Sequence, residues 1–262
     1  MKLNIKVNCS YVCEPIRKQD GSLLAVELLS RFSATPIDLP IDVEKFINGL
    51  DINGKNDLFQ NQLQAVKAYS DWFITNNVLL SINIDFDLAS VIVTDAPTRQ
   101  MLDEMPFLRL EIMETFSNLS DGMNNPLLRE LASLYPLWLD DLGSGGSTLN
   151  AVTANIFEYI KIDKHFFWQH NKHTFPILIN NIKKYCLGVI VVGVENQSES
   201  EQLEGSNIDA MQGYLFNPMT LDELVSQPLR LTFLAKRVLI GCIARGFVCA
   251  VSAVVFDKIF SW

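Results

Sequence analysis

The stretch Pro136-Leu-Trp-Leu-Asp-Asp-Leu-Gly-Ser-Gly-Gly146 decides how this chain is read. A short apolar run, 136–139, leads into two adjacent carboxylates, Asp140 and Asp141, and then into a glycine-rich loop. That is the punctuation of a buried strand ending in a tight turn. Neighbouring side chains on a strand face opposite ways, but where the strand gives way to a loop both acids can turn toward one cavity. Two adjoining carboxylates repel each other unless cations sit there, which points to a divalent metal. The competing explanation is that one Asp caps the next helix. What separates the two is whether other strand ends carry the same kind of residue.

Outward from this stretch, β-branched and apolar runs alternate with helix-length periodic segments. Strands are expected near 9–16, 23–30, 78–84, 107–113, 136–140, 158–162, 188–194 and 209–211. Helices are expected near 56–76, 97–105, 124–134, 146–154, 173–186, 197–204 and 220–235. Such alternation means parallel strands with crossover helices, and eight strands favour a closed α/β barrel over an open sheet. Lys18-Gln-Asp-Gly21 is too short for a helical crossover, so the first two strands should form an antiparallel hairpin and make the barrel irregular. A chain of 262 residues suits one such domain.

In a parallel barrel, functional side chains collect at the C-terminal ends of the strands. Read in order, those positions hold Glu27 with Arg31, Asn83, Glu111 with Glu114, Asp140 with Asp141, Lys161 with Asp163, and Gln212. Each alone has a plain structural explanation as a salt-bridge partner, a solvated strand end or a turn former. Together they do not, because oxygen donors arrive from successive strands at one rim. The carboxylates of Glu27, Glu111, Asp140 and Asp141, with the neutral amide of Asn83, carry a formal charge that about two divalent cations balance. Oxygen-only ligation selects Mg²⁺ or Mn²⁺ over zinc.

Composition narrows the partners. A net charge of −9 argues against gripping a nucleic-acid polymer, which needs a basic face. Five cysteines, Cys9, Cys13, Cys186, Cys242 and Cys249, are odd in number and lack paired zinc spacing, so reduced thiols are expected. The start, Met1-Lys-Leu-Asn-Ile-Lys6, has no signal-peptide core, and a cytoplasmic barrel is expected. His165, His170 and His173 lack the partners of a zinc site and read as surface. Ser144 and Ser147 have no nearby His base, and the 143–146 glycine loop lacks the Gly-Lys-Ser/Thr of a phosphate cradle.

Six ordered motifs carry a family resemblance: Glu27-Leu-Leu-Ser-Arg31, Asn83 in Ser-Ile-Asn-Ile, Glu111-Ile-Met-Glu114, Asp140-Asp-Leu-Gly-Ser-Gly145, Tyr159-Ile-Lys-Ile-Asp163 and Gln212-Gly-Tyr-Leu-Phe216. Over roughly 9–234 the chain resembles a stand-alone EAL-domain cyclic di-GMP phosphodiesterase. The resemblance implies a modified TIM (β/α)8 barrel with an antiparallel first strand, acting as a homodimer. It implies that Glu27, Asn83, Glu111 and Asp140 ligate one metal, that Asp140 and Asp141 hold the second, and that metal-activated water opens cyclic di-GMP to linear pGpG. Lys161 would be a base or water positioner with its pKa lowered by the cations. Glu114 would brace the loop after Asp141. Arg31 would clamp a phosphate and Gln212 contact the ligand, with Asp163, Glu14 and Leu28 completing the ligand surface.

The chain departs from the family pattern at Val191-Val-Gly-Val-Glu195, where the family usually reads Ala-Glu-Gly-Val-Glu. Val192 stands where the resemblance implies a second-metal carboxylate. Glu195 is expected not to substitute, because three places along a strand it points to the other side. Water can fill a missing position on Mg²⁺, so turnover should suffer more than ligand binding. Leu142 for the usual Phe and Ser144 for Thr are smaller changes, and Glu14 stands where Gln is common before Pro15. Two functions stay open: a metal-dependent phosphodiesterase of reduced rate, and a degenerate module that binds cyclic di-GMP or a protein partner without hydrolysis.

The barrel domain is expected over 1–234, with 235–262 as an apolar C-terminal extension. Its run from Val238 to Phe256 has Arg245 as its sole charge. Nineteen residues are just enough to cross a bilayer, but a central Arg costs about 2.5–3.5 kcal/mol on insertion scales. A docked or self-associating helix and a membrane anchor, with Lys236-Arg237 on the cytoplasmic side, are the alternatives.

Overall fold

The computed structural model describes residues 6–35, 39–143, 149–163, 165–166 and 174–227. Nine strands occur among them: β1 (Lys6–Lys18), β2 (Leu23–Thr35), β3 (Leu39–Ile41), β4 (Leu79–Asn83), β5 (Leu108–Met113), β6 (Leu137–Leu142), β7 (Phe157–Asp163), β8 (Gly188–Val192) and β9 (Ala210–Gln212). Their order, β1-β9-β8-β7-β6-β5-β4-β2, closes because β1 also pairs with β2, and β3 extends β2 at one edge. Closure leaves no open edge among the eight barrel strands.

β1 is antiparallel to both β2 and β9, while β2 and β4 through β9 run parallel around the ring and the edge strand β3 is antiparallel to β2. The expected hairpin is present. Its turn is set by Gly21 at φ 79°, whose N–H donates to the Lys18 carbonyl at 2.9 Å, and by Asp20, which accepts from the Ser22 N–H at 2.9 Å. β1 and β2 are longer than expected, because the pairing continues from Glu14–Glu27 out to Lys6–Thr35.

Ile16, Leu24, Ala25, Trp138, Ile190 and Ala210 form a buried cluster inside the barrel, with Leu79, Tyr159 and Val192 packed against it. Trp138 donates its indole N–H to Glu158 at 3.0 Å, and Glu158 also pairs with Arg109. This removes the cost of burying an indole N–H unpaired.

The helices differ from expectation in instructive places. The predicted 56–76 helix is two, Ile52–Lys67 and Ser70–Asn76. Phe86–Thr94 is a helix the sequence pattern did not suggest. Its Ser-Val-Ile-Val run favours a strand locally, but Asp85 caps the N-terminus and Leu88, Ala89, Ile92 and Val93 bury one helical face. Tertiary burial outweighs a propensity difference of a few tenths of a kcal/mol per residue. Of the helix expected near 220–235, Leu221–Ser226 is formed, with a Thr220/Glu223 capping box. The apolar extension from 235, with the candidate anchor 238–256, Cys242 and Cys249, lies outside the described residues. Among those described, no helix is long and apolar enough to cross a membrane, and Cys9, Cys13 and Cys186 are free thiols.

Candidate functional site

Strand register brings the candidate residues to one end of the barrel. Glu27 pairs with Ser81, Asn83 with Glu111, and Met113 with Asp140. From Glu27 to Asn83 and from Glu111 to Asp140 the line climbs by two residues, which keeps the same face and is the stagger a tilted barrel requires, while Asn83 and Glu111 lie level.

The adjacent acids reach one cavity through a break in the β6–β7 ladder. Leu139 pairs with Ile160 and Leu142 with Ile162, so Asp140 and Asp141 together oppose Lys161 alone. Asp141 takes φ 56°, a left-handed conformation that costs energy for a residue with a side chain. Bulge and strained φ together let both carboxylates line a cavity of about 280 Å³, shared with Glu14, Glu27, Lys161, Val192 and Gln212 among others.

Lys161 is the hub of the site. Its ammonium is fully buried and lies 2.7 Å from Glu27 Oε2, in contact with Glu111 Oε1 and 3.9 Å from Asp140 Oδ1. Glu27 also accepts from Asn83 Nδ2 at 2.6 Å and from Gln212 Nε2 at 2.7 Å. Burial pushes the Glu27 carboxyl up, but the Lys161 charge and the hydrogen bonds from Gln212, Lys161 and Asn83 prevail and hold it below its ordinary value. Glu111 is fully buried, and although Oε1 touches the Lys161 ammonium, neither oxygen has a well-directed hydrogen bond. Burial, and then the Glu27 charge, push it well above its ordinary range despite Lys161. Burial likewise raises Asp140 to about 6, aided by Glu27 and Asp141 against Lys161. Asp141 is raised by burial and by Asp163. Burial would lower Lys161, but Glu111, Glu27 and Asp140 outweigh it and hold the ammonium charged. The sequence expectation of a lowered Lys161 pKa concerned bound cations, and the carboxylates by themselves act in the opposite direction.

Among the described residues, no three carboxylate, His or Cys side chains already converge as a metal cage; the acids gather on the Lys161 ammonium instead. The donor set nevertheless fits a hard cation. It is oxygen-rich, it carries more negative charge than one lysine balances, and it includes a buried Glu111 with Oε2 unpartnered by any hydrogen bond.

Several expected residues stand elsewhere. Glu114 is buried, and its Oε2 accepts the Gly143 N–H at 3.2 Å, bracing the loop after Asp141 rather than facing the cavity. Asp163 accepts the His165 N–H at 2.7 Å, outside the cavity lining. Arg31 reaches Glu14 at 3.5 Å on the rim. Leu28 is a correction: next to Glu27 on the strand it takes the opposite face, 1% exposed in the core, with no surface for a ligand. Glu195 is another. β8 stops at Val192 and Gly193 turns the chain at φ 75°, so strand alternation does not extend to Glu195, which lines the cavity. Gly193, Gly213 and the exposed Tyr214 also line it and were not singled out beforehand. Positive φ at both glycines is the physical reason for their residue type. His165 is exposed, as expected; His170, His173, Ser144 and Ser147 lie outside the described residues.

A closed α/β barrel with an antiparallel first strand and an acidic, lysine-centred pocket at the strand ends defines the class. The EAL domain family model matches residues 8–219, and the chain belongs to that family. It is 28% identical over 232 residues to the cyclic di-GMP phosphodiesterase PdeH of Escherichia coli K12, covering 85% of this chain and 88% of that protein. It is also 28% identical over 217 residues to the putative anti-FlhC(2)FlhD(4) factor YdiV of the same strain, covering 81% and 92%. The crystal structure of the EAL-like domain protein YdiV superposes with a TM-score of 0.78 at 26% identity, covering 86% of this chain and 97% of that one.

Proposed function

We propose that this chain is a divalent-metal-dependent phosphodiesterase that opens cyclic di-GMP to linear pGpG at a reduced rate. The observation that carries it is the set Glu27, Asn83, Glu111, Asp140 and Lys161, held together around a fully buried ammonium at the end of the barrel. The similarity to PdeH supports the substrate.

Glu27, Glu111, Asp140 and the amide oxygen of Asn83 would hold one Mg²⁺ or Mn²⁺. A half-turn of the Asn83 amide exchanges the donor it now offers Glu27 for an acceptor. Asp140 and Asp141 would hold a second ion less tightly, because Val192 contributes no oxygen there. When bound, the ions supply charge neutralisation and activation of water for in-line attack on phosphorus. Lys161 carries a proton at Nζ within reach of the reacting centre and positions the attacking water. Arg31 and Gln212 orient the phosphate and the ligand, and Glu114 fixes the loop after Asp141.

Val192 in the cavity lining favours a second function: nucleotide or protein binding without hydrolysis. The likeness to YdiV, named as an anti-FlhC(2)FlhD(4) factor, supports it. One assay separates them: cyclic di-GMP turnover with Mn²⁺ or Mg²⁺ by the purified chain and by Val192→Glu. Measurable pGpG from the parent, rising on substitution by about 10–100-fold as for repair of a metal's surroundings, supports the enzyme. A parent that binds the nucleotide yet forms no pGpG supports the regulator and ends the enzymatic proposal.

A further inference from the structure

The first hairpin carries a second departure from the family pattern, at Glu14. Antiparallel pairing sets Glu14 directly opposite Glu27, so two glutamates face each other across strands, a pairing that like charges disfavour. Two neighbours offset it. Gln212 Nε2 donates to Glu14 Oε2 at 3.3 Å and to Glu27 Oε2 at 2.7 Å, using both of its N–H groups. Arg31, four residues along β2 from Glu27, brings a guanidinium nitrogen to 3.5 Å from Glu14 Oε1. Glu14 lines the cavity, 24% exposed, while Arg31 stands at its edge, 44% exposed, with its other terminal nitrogen on the Ser30 carbonyl at 3.1 Å.

We propose that Glu14 is a built-in competitor of the ligand's phosphate, its carboxylate engaging the Arg31 guanidinium that a phosphodiester entering the cavity would otherwise take. This rests on cyclic di-GMP being the ligand of the cavity. The guanidinium fork matches carboxylate and phosphate alike, so the two anions compete for the same donors. The Glu14–Arg31 contact is long and partly exposed, hence weak, and a contact that must be displaced has to be weak. After displacement the Glu14 carboxylate stands beside an incoming anion and opposes it further. Glutamine at this position keeps the shape and an acceptor for Gln212 while releasing Arg31. The competitor therefore raises the nucleotide concentration at which the site fills, independently of any effect of Val192 on turnover.

The test is calorimetric titration of the full chain with cyclic di-GMP in EDTA, where metal-dependent turnover is suppressed. Parent, Glu14→Gln, Arg31→Ala and the double variant are compared. Glu14→Gln is expected to bind about fivefold tighter, the scale of a partly exposed ion pair. Arg31→Ala should cost the parent little and the Glu14→Gln background clearly more. A Glu14→Gln chain that binds no tighter than the parent, or an Arg31→Ala penalty equal in both backgrounds, overturns the competitor. If the parent binds and Glu14→Gln brings no gain, the competitor role fails while nucleotide binding stands. If none of the four binds, the assignment of the ligand fails with it.

Discussion

The two sides of the barrel rim are unlike. On β2, β4, β5, β6 and β7 the polar side chains are tied to each other around a fully buried ammonium: Glu27 to Asn83 and Lys161, and Lys161 to Glu111 and Asp140. On β8, β9 and β1 the cavity wall is Val192, two glycines, the exposed Glu195 and Tyr214, and a Glu14 shared between Gln212 and Arg31. The first side keeps a charge arrangement that is expensive to bury, which selection on stability alone does not favour. The second has lost an expected carboxylate at one position and gained one at another. The first side thus keeps an oxygen-rich set that fits a cation, while the second has Val192 where an oxygen donor was expected.

The largest effect that would break this contrast is expected at Lys161. Lys161→Met removes the positive charge from among three carboxylates, and turnover should fall by about 10²–10⁴-fold, as for loss of a proton-handling group. The metal-free protein should also lose about 3–5 kcal/mol, the cost of stranding a buried ion's partners. Unchanged turnover, measured as pGpG formed, would mean that the buried side does no chemistry.

On the other side, Gly213→Ala tests whether the glycines shape the wall. A Cβ there would meet the Val194 carbonyl oxygen at 2.3 Å and its nitrogen at 2.4 Å, with φ at 147°. Backbone cannot yield as a flexible side chain can, so about 1–3 kcal/mol of stability should be lost in denaturant melts. A neutral result would show that this wall is loosely packed.

pH should sharpen the contrast further. Asp140 is raised from its ordinary 3.8 to about 6. A carboxyl raised by folding gives stability that is complete below its ordinary value and is lost as pH climbs through the folded value, here between about 4 and 6. Glu111 acts in the same direction, while Glu27, being lowered, acts oppositely at lower pH. A divalent cation needs these carboxylates ionised. The rise in Tm produced by Mn²⁺ should therefore be larger at pH 8 than at pH 5. An equal rise at both values would separate Asp140 from cation binding.

Much of the barrel was legible because strands and their ends are marked by local signals. Leu137 to Leu139, with Asp140-Asp141 and glycine close behind, announces both a strand and its functional end. The short Lys18–Gly21 connection announces the hairpin. Hidden features depend on distant packing or on a backbone turn that simple strand alternation misses. The Phe86–Thr94 helix is set by the core it packs on, and the placement of Glu195 by a turn at Gly193 that ends the strand early. The hold of Arg31 on Glu14 is a contact between residues 17 apart that no local pattern encodes.

The most direct test of the central claim is a calorimetric Mn²⁺ titration of the parent beside Asp140→Asn and Val192→Glu. One tight ion per parent chain, none in Asp140→Asn and a second in Val192→Glu is the predicted result. A parent that takes up no Mn²⁺, or an Asp140→Asn chain that takes it up unchanged, would contradict it.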